Sequence, residues 1–208
     1  SDVYKREAYD YSQAVQDLTS VTGNVQSLKN AVNELAAAGS TRTDFGLNQA
    51  QRVLDGDWQH GLGGAREEAK QVVVVFTDGE PSTFSNWSGG VAANAVNLAK
   101  DLKDDKVTVY TIGMFEDADP SDTDGRFNKY MNGVSSNYPN AEVTNWRGDR
   151  TQDWDDCKLG TRVTEGNYYF AADDAEELEN AFSTIADNVS TSKAVSYTHL
   201  TLPTNSRV

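Results

Sequence analysis

Cysteine is almost absent from this sequence, since Cys157 is the only one among 208 residues. A single cysteine excludes an intrachain disulfide, a zinc cluster built from thiolates and a redox pair within the chain. Any metal held here must therefore use oxygen ligands. We interpret the thiol itself as an inert one, as most solitary cysteines are.

Basic residues are also scarce. Eighteen lysines and arginines stand against thirty-two acidic residues, which gives a formal net charge of -14. Nucleic acids and anionic lipids recruit proteins through lysine and arginine, so this balance argues against both as partners. No apolar run of about 18 residues occurs, and no basic-then-apolar leader opens the chain. We therefore expect no membrane segment and no export signal within this sequence.

Helical and strand patterns alternate along the chain. The segment QVVVVF at residues 71–76 is β-branched and does not alternate with polar residues, which is typical of a central parallel strand covered on both faces. Further strands are predicted at residues 107–114 and 167–172, and helices at 21–38, 45–54, 91–102 and 175–189. A long polar segment fills residues 115–165. The sequence thus predicts an α/β domain with a mainly parallel sheet flanked by helices.

A candidate metal site follows the QVVVVF strand. Ligands of open parallel sheets bind at the carboxyl ends of the strands, and Asp78 lies at such an end with Gly79 behind it for a tight turn. A carboxylate in this position is suited to a hard cation. Thr41, in a neighbouring loop, is the second candidate because its hydroxyl can reach the same ion.

Three segments in order resemble the von Willebrand factor type A domain family: GSTRTDFGL at residues 39–47, FTDGEPS at 76–82 and YYFAADDAEELENAF at 168–182. The resemblance implies a Rossmann-like fold and a metal-ion-dependent adhesion site. By position, the family's threonine and aspartate ligands are Thr41 and Asp78. The implied metal is Mg²⁺ or Mn²⁺ with one open coordination position, which a carboxylate of the partner fills.

The family's first metal motif, Asp-x-Ser-x-Ser, has no counterpart in this sequence. We expect that motif and the first strands to lie upstream of Ser1. Because the family's first strand neighbours the QVVVVF strand, its loss would leave one strand edge unpaired. Thr41 and Asp78 would then be an incomplete ligand set, so metal binding is expected of the longer parent protein.

The C-terminal residues differ from the rest of the chain. VSYTHLTLPT at residues 195–204 has no charge and resembles a translated sequencing adapter. The resemblance implies two parts: residues 1–194 as a partial type A domain and residues 195–208 as a non-native tail.

Several other residues have ordinary interpretations. Asp44 is predicted to cap the following helix, and Ser82 to be a loop residue. The acidic segment 116–124 resembles a calcium loop, but Pro120 occupies a position where an EF-hand needs a ligand, so we predict a solvated loop. Three tryptophans, Trp87, Trp146 and Trp154, lie in predicted loops, where partner anchoring and partial burial both remain open.

The polar segment, with SSNYPNA at residues 135–141, resembles type A domains of Gram-positive surface proteins and pilus-tip adhesins. We therefore predict an adhesion module that binds a protein ligand, outside the cell on a cell wall or pilus. Host extracellular-matrix proteins are candidates at the level of the family.

Two alternatives remain open: an intracellular module that docks a chelatase or ATPase assembly, and a structural spacer with a degenerate metal site. We predict no enzyme, because no histidine, cysteine or Gly-x-Ser-x-Gly motif converges on Asp78.

Overall fold

A computed structural model describes residues 16–34, 40–57, 59, 61–66, 68–83 and 86–195, with side chains as far as residue 190. The predicted tail, residues 195–208, lies outside the described residues except for position 195, and so do residues 1–15 of the predicted domain.

Five α-helices and seven strands are described. The helices are α1 (Val25–Asn33), α2 (Thr43–Asp55), α3 (Gly89–Asp104), α4 (Arg126–Val134) and α5 (Ala175–Val195). The strands are β1 (Val72–Thr77), β2 (Ser82–Thr83), β3 (Asn86–Trp87), β4 (Thr108–Gly113), β5 (Glu142–Val143), β6 (Cys157–Lys158) and β7 (Tyr169–Ala171). No helix among the described residues is long and apolar enough to cross a membrane.

The central sheet is parallel and has the order β1-β4-β7. Strand β4 pairs with β1 from Val72 opposite Thr108 to Thr77 opposite Gly113, and with β7 on its other side. Alternate residues of β4 face two apolar layers: Val109 packs toward α3 and α4, whereas Tyr110 and Ile112 pack toward α5. Helices thus flank both faces of a parallel sheet, which confirms the predicted α/β class.

Strand β1 differs from its prediction as a central strand covered on both faces. In the described part of the chain it pairs with β4 alone, so it lies at the sheet edge. Val74 is 36% exposed and Phe76 is 49% exposed on the face toward α5. Phe76 meets the ring of Phe182 edge-on there, at 6.5 Å between centroids. The strand was predicted correctly, but the layer on this face does not fully cover the side chains of a strand at the sheet edge.

Two regions depart further from the sequence analysis. Helix α1 is shorter than residues 21–38, and its apolar residues Val25 and Val32 are exposed, while residues 35–39 lie outside the described ranges. The polar segment 115–165 contains a helix, α4, and the antiparallel pair β5–β6. The apolar pattern of the sequence did not predict α4, because the polar residues Asn128 and Asn132 occupy two of its buried positions. Hydrogen bonds satisfy the side-chain amides of both residues.

The β5–β6 hairpin is attached firmly to α3. The side-chain amide of Asn97 donates to the Val143 carbonyl at 3.1 Å and accepts from the Val143 N–H at 2.9 Å. Farther along the same loop, the Arg150 guanidinium forms a two-point ion pair with Asp101. These bonds fix the hairpin over the outer surface of α3.

Candidate metal and partner-binding site

The loops that carry Thr41 and Asp78 are bonded directly to each other. The Thr41 N–H donates to the Ser82 hydroxyl oxygen at 3.0 Å, and the Ser82 N–H donates to the Thr41 carbonyl at 3.0 Å. Residues 41 places apart in sequence are therefore held in register at the carboxyl end of β1. This brings together the two loops that the sequence analysis singled out.

The turn after β1 is shaped by Thr77, the last residue of the strand. Its hydroxyl accepts from the Gly79 N–H at 3.2 Å and donates to the Gly79 carbonyl at 2.9 Å. Its own carbonyl accepts from the N–H of Met114 at 2.9 Å, which ties the turn to the end of β4. The chain therefore turns sharply at Asp78 and leaves the Asp78 side chain exposed at the sheet edge.

Gly79 allows the two loops to approach closely. A Cβ atom at this position would lie 3.2 Å from the Thr41 hydroxyl oxygen, which is tighter than ordinary contact. The Thr41 hydroxyl thus occupies the space that a side chain at position 79 would fill. The close packing of the two loops therefore favours glycine at position 79, in addition to the tight turn that the sequence predicted.

The carboxylates near this edge differ in their partners. Asp44 is buried and paired with Arg42 through two hydrogen bonds of 2.9 and 2.8 Å, and Glu80 pairs with Arg126 at 2.8 Å. Asp78 forms no ion pair or side-chain hydrogen bond among the described residues. It is therefore the carboxylate at this edge that is free to bind something else.

The donor chemistry at Thr41 and Asp78 fits Mg²⁺ or Mn²⁺, because both side chains offer hard oxygen atoms. The number of donors is small. Within the described ranges, no group of three or more acidic, histidine or cysteine side chains could hold a metal. Two donors alone would be an incomplete ligand set for such an ion.

Two neighbouring residues have roles that the sequence analysis missed. Ser82 belongs to the short pair β2–β3 and joins the two loops, so its prediction as a simple loop residue was incomplete. The prediction that Asp44 caps α2 was wrong, because the helix begins at Thr43, one residue earlier, and Arg42 is its N-cap residue. The signal for Ser82 was its place within the FTDGEPS segment.

The tryptophans have different environments. Trp87 and Trp154 pack edge-on against each other, at 5.5 Å between centroids, and both contact the buried ring of Tyr130. Partial burial therefore accounts for these two. Trp146 is 84% exposed, with the Arg147 guanidinium 4.6 Å from its ring centroid.

Carboxylates of the acidic segment bond to their own loop. Asp122 accepts from the backbone N–H groups of Asp124 and Gly125 and from the amide of Asn128, and these bonds lower the pKa of its carboxyl group. The Ser121 hydroxyl and N–H similarly lower the pKa of Asp119. Local hydrogen bonding thus explains the positions of both side chains.

An open parallel sheet with oxygen side chains at its carboxyl edge defines a ligand-binding module of the doubly wound α/β class. The family model of the von Willebrand factor type A domain matches residues 7–148, more than half of the 208-residue chain. The chain belongs to this family. Such domains are generally interaction modules without catalytic activity, and they commonly mediate metal-dependent contacts between proteins. The chain has no significant match among curated proteins or solved structures.

Proposed function

We propose that this chain is a protein-binding module whose binding edge is formed by the Thr41 loop and the 78–82 loop. The paired backbone and side-chain bonds between Thr41 and Ser82 carry this proposal, because they join the loop that bears the Thr41 hydroxyl to the loop that bears the free carboxylate of Asp78. Thr41 and Asp78 would contribute ligands to Mg²⁺ or Mn²⁺. When bound, the ion supplies an open coordination position that a partner carboxylate can fill.

The remaining ligands are proposed to come from an Asp-x-Ser-x-Ser motif on a strand upstream of this sequence. Strand β1 supports this idea, because it has one neighbour in the described sheet and an exposed apolar face. A strand added beside β1 would end near Asp78, since parallel strands present their carboxyl ends at the same edge. It would also pair the backbone groups of β1 that are now at the edge.

The biological setting that we propose is adhesion outside the cell, on a bacterial cell wall or pilus, with a host extracellular-matrix protein as the partner. The acidic composition, with a formal charge of -14, and the single cysteine support this setting. The residues between β4 and β7 support it as well, because they build a substantial surface of their own from α4 and the β5–β6 hairpin.

Calorimetric titration with Mg²⁺ and Mn²⁺ tests the metal site. We expect a chain extended upstream by the proposed strand to bind metal, and Thr41→Ala or Asp78→Ala to abolish the binding. Asp124→Ala is the matched control, because Asp124 is also exposed and its carboxylate has no hydrogen bond in the described structure. If neither the extended chain nor the present one binds metal, the domain is a structural spacer with a degenerate site.

A further inference from the structure

A second concave site lies between α2, α3 and the loop that leads into β6, and it adjoins the Thr41 loop because Arg42 and Asp44 line it. Its volume is about 430 Å³, which is within the range of small-molecule sites. Polar groups from all three elements line it: Asn48 from α2, Asn94 from α3, and Arg150, Thr151 and Gln152 from the loop. We call it the amide cleft.

The side-chain amides in this cleft have unused hydrogen-bonding capacity. Asn48, Asn94 and Gln152 make no side-chain hydrogen bond within the described part of the chain. Asn97, one turn beyond Asn94 on α3, is buried and uses its amide on the backbone of Val143. The three free amides thus face the cleft as donors and acceptors, while the neighbouring one is structural.

The charged groups of the cleft are neutralised in pairs. Arg42 is bonded to the buried carboxylate of Asp44, and Arg150 to Asp101. An ionic ligand would therefore find no uncompensated opposite charge. A ligand that forms many hydrogen bonds without carrying charge suits this lining better.

The walls of the cleft are already in place. Two bonds from Asn97 and the ion pair of Arg150 fix the loop onto α3, and the loop packs closely against the N-terminal turn of that helix. A Cβ at Gly90 would lie 3.5 Å from the Gln152 amide oxygen, and one at Gly89 would lie 3.1 Å from Trp154 Cβ. Little ordering would be needed on binding, which favours affinity.

We propose that the amide cleft binds a neutral saccharide. Sugars present adjacent hydroxyl groups that both donate and accept, and a carboxamide offers both functions from one planar group. The half-buried side chain of Leu98 supplies apolar surface for a sugar ring, whereas the ring of Phe45 is already covered by the Arg42 guanidinium, 3.5 Å from its centroid. An uncharged peptide is less favoured, because its side chains would find little apolar surface in the cleft. Neither Thr41 nor Asp78 lines this site, so the proposal does not require those two residues to bind metal.

Saturation-transfer NMR in EDTA tests the proposal with the full chain and a panel of uncharged sugars: glucose, galactose, mannose, N-acetylglucosamine, lactose and maltose. We expect at least one sugar to receive saturation from the protein. Asn94→Ala and Gln152→Ala should each weaken its binding about tenfold, because each removes a net hydrogen bond. Asn180→Ala, an exposed asparagine on α5, is the control and should leave binding unchanged.

Three results would overturn the assignment: no binding by any sugar of the panel, binding that neither cleft variant weakens, or preferential binding of an uncharged serine-asparagine hexapeptide that is lost in the same variants. Gln152 is exposed in a loop, so Gln152→Ala should keep the fold even if Asn94→Ala, in α3, disrupts it. EDTA removes the metal, so failure of the metal site would leave this result unaffected.

Discussion

Lys103 is a buried lysine whose hydrogen bonds hold a turn together. Its ammonium group donates to the carbonyls of Gly133 at 2.8 Å, Ser135 at 3.2 Å and Tyr138 at 3.0 Å. The Gly133 carbonyl lies in the last turn of α4 and the other two follow the helix, where carbonyl groups have no partner within it. A lysine on α3 therefore caps the C-terminal end of another helix and joins the two elements.

Lys103→Met should destabilise the domain by about 2–4 kcal/mol, because it leaves three buried carbonyls without their donor. Chemical denaturation followed by circular dichroism would measure the change. Lys100→Met is the matched control on the same helix, since Lys100 pairs with the exposed carboxylate of Asp104 and should cost less than about 1 kcal/mol. Equal losses in the two variants would contradict the capping role.

The same residue should make stability depend on pH. Burial lowers the pKa of Lys103 from 10.5 to about 7, so between pH 7 and 8.5 the folded chain binds fewer protons at this group than the unfolded chain does. Stability rises with pH where the unfolded state holds more protons, and we expect a gain of about 1–2 kcal/mol over this window.

Denaturation at pH 7, 8 and 8.5 compares the free energy of unfolding of the original chain with that of Lys103→Met. The variant should lack the gain in stability with pH. The window stops at pH 8.5 because burial raises the pKa of the Cys157 thiol to about 11, which acts in the opposite direction at higher pH. A slope that is identical in both proteins would show that Lys103 does not titrate there.

The β5–β6 hairpin depends on α3 for its position. Its strands are two residues long, and such a pair is marginal without tertiary support. Asn97 provides that support through both polar backbone groups of Val143, a fully buried residue.

Asn97→Ala should cost about 2–3 kcal/mol, since it leaves a buried N–H and a buried carbonyl unpaired. Amide hydrogen exchange at Val143 should also accelerate by more than the global loss of stability requires. Asn94→Ala, three residues earlier on the same helix, should change stability by less than about 0.5 kcal/mol because its amide is free. A similar loss at both positions would argue against a specific anchor.

The elements that the sequence predicted well are those with uninterrupted apolar patterns. Strands β1, β4 and β7 and helices α2 and α3 were each located to within two residues, because burial between layers requires such patterns. Helix α4 and the hairpin were missed because tertiary hydrogen bonds through Asn128, Asn132 and Asn97 stabilise them. The secondary-structure propensity of a segment does not reveal hydrogen bonds to backbone groups that are distant in sequence.

The candidate site was predictable in part for the same reason. Thr41 and Asp78 were selected from their motif segments and from the rule that ligands gather at the carboxyl ends of strands. Their positions relative to each other depend on Ser82 and on the space above Gly79, which only the fold reveals. Their role as metal ligands stays a prediction.

The whole molecule combines a two-layered core with functional groups at its margins. The free carboxylate of Asp78 lies at the sheet edge, and the amide cleft lies on the outer side of α3. The exposed Trp146 projects from a turn of the hairpin loop, where the Asn145 side chain accepts from the N–H groups of Arg147 and Asp149. The proposed binding sites thus border the core without interrupting it.

Paramagnetic broadening by Mn²⁺ tests the central claim most directly, because it locates a bound ion even when binding is weak. In a titration of the isotope-labelled chain, whose two donors should bind Mn²⁺ only weakly without the upstream motif, we predict that the backbone amide signals of Thr41 and of residues 78–80 broaden first. Asp78→Ala should remove this effect. Broadening centred on the acidic segment 116–124, or spread evenly over the surface, would contradict a metal site formed by Thr41 and Asp78.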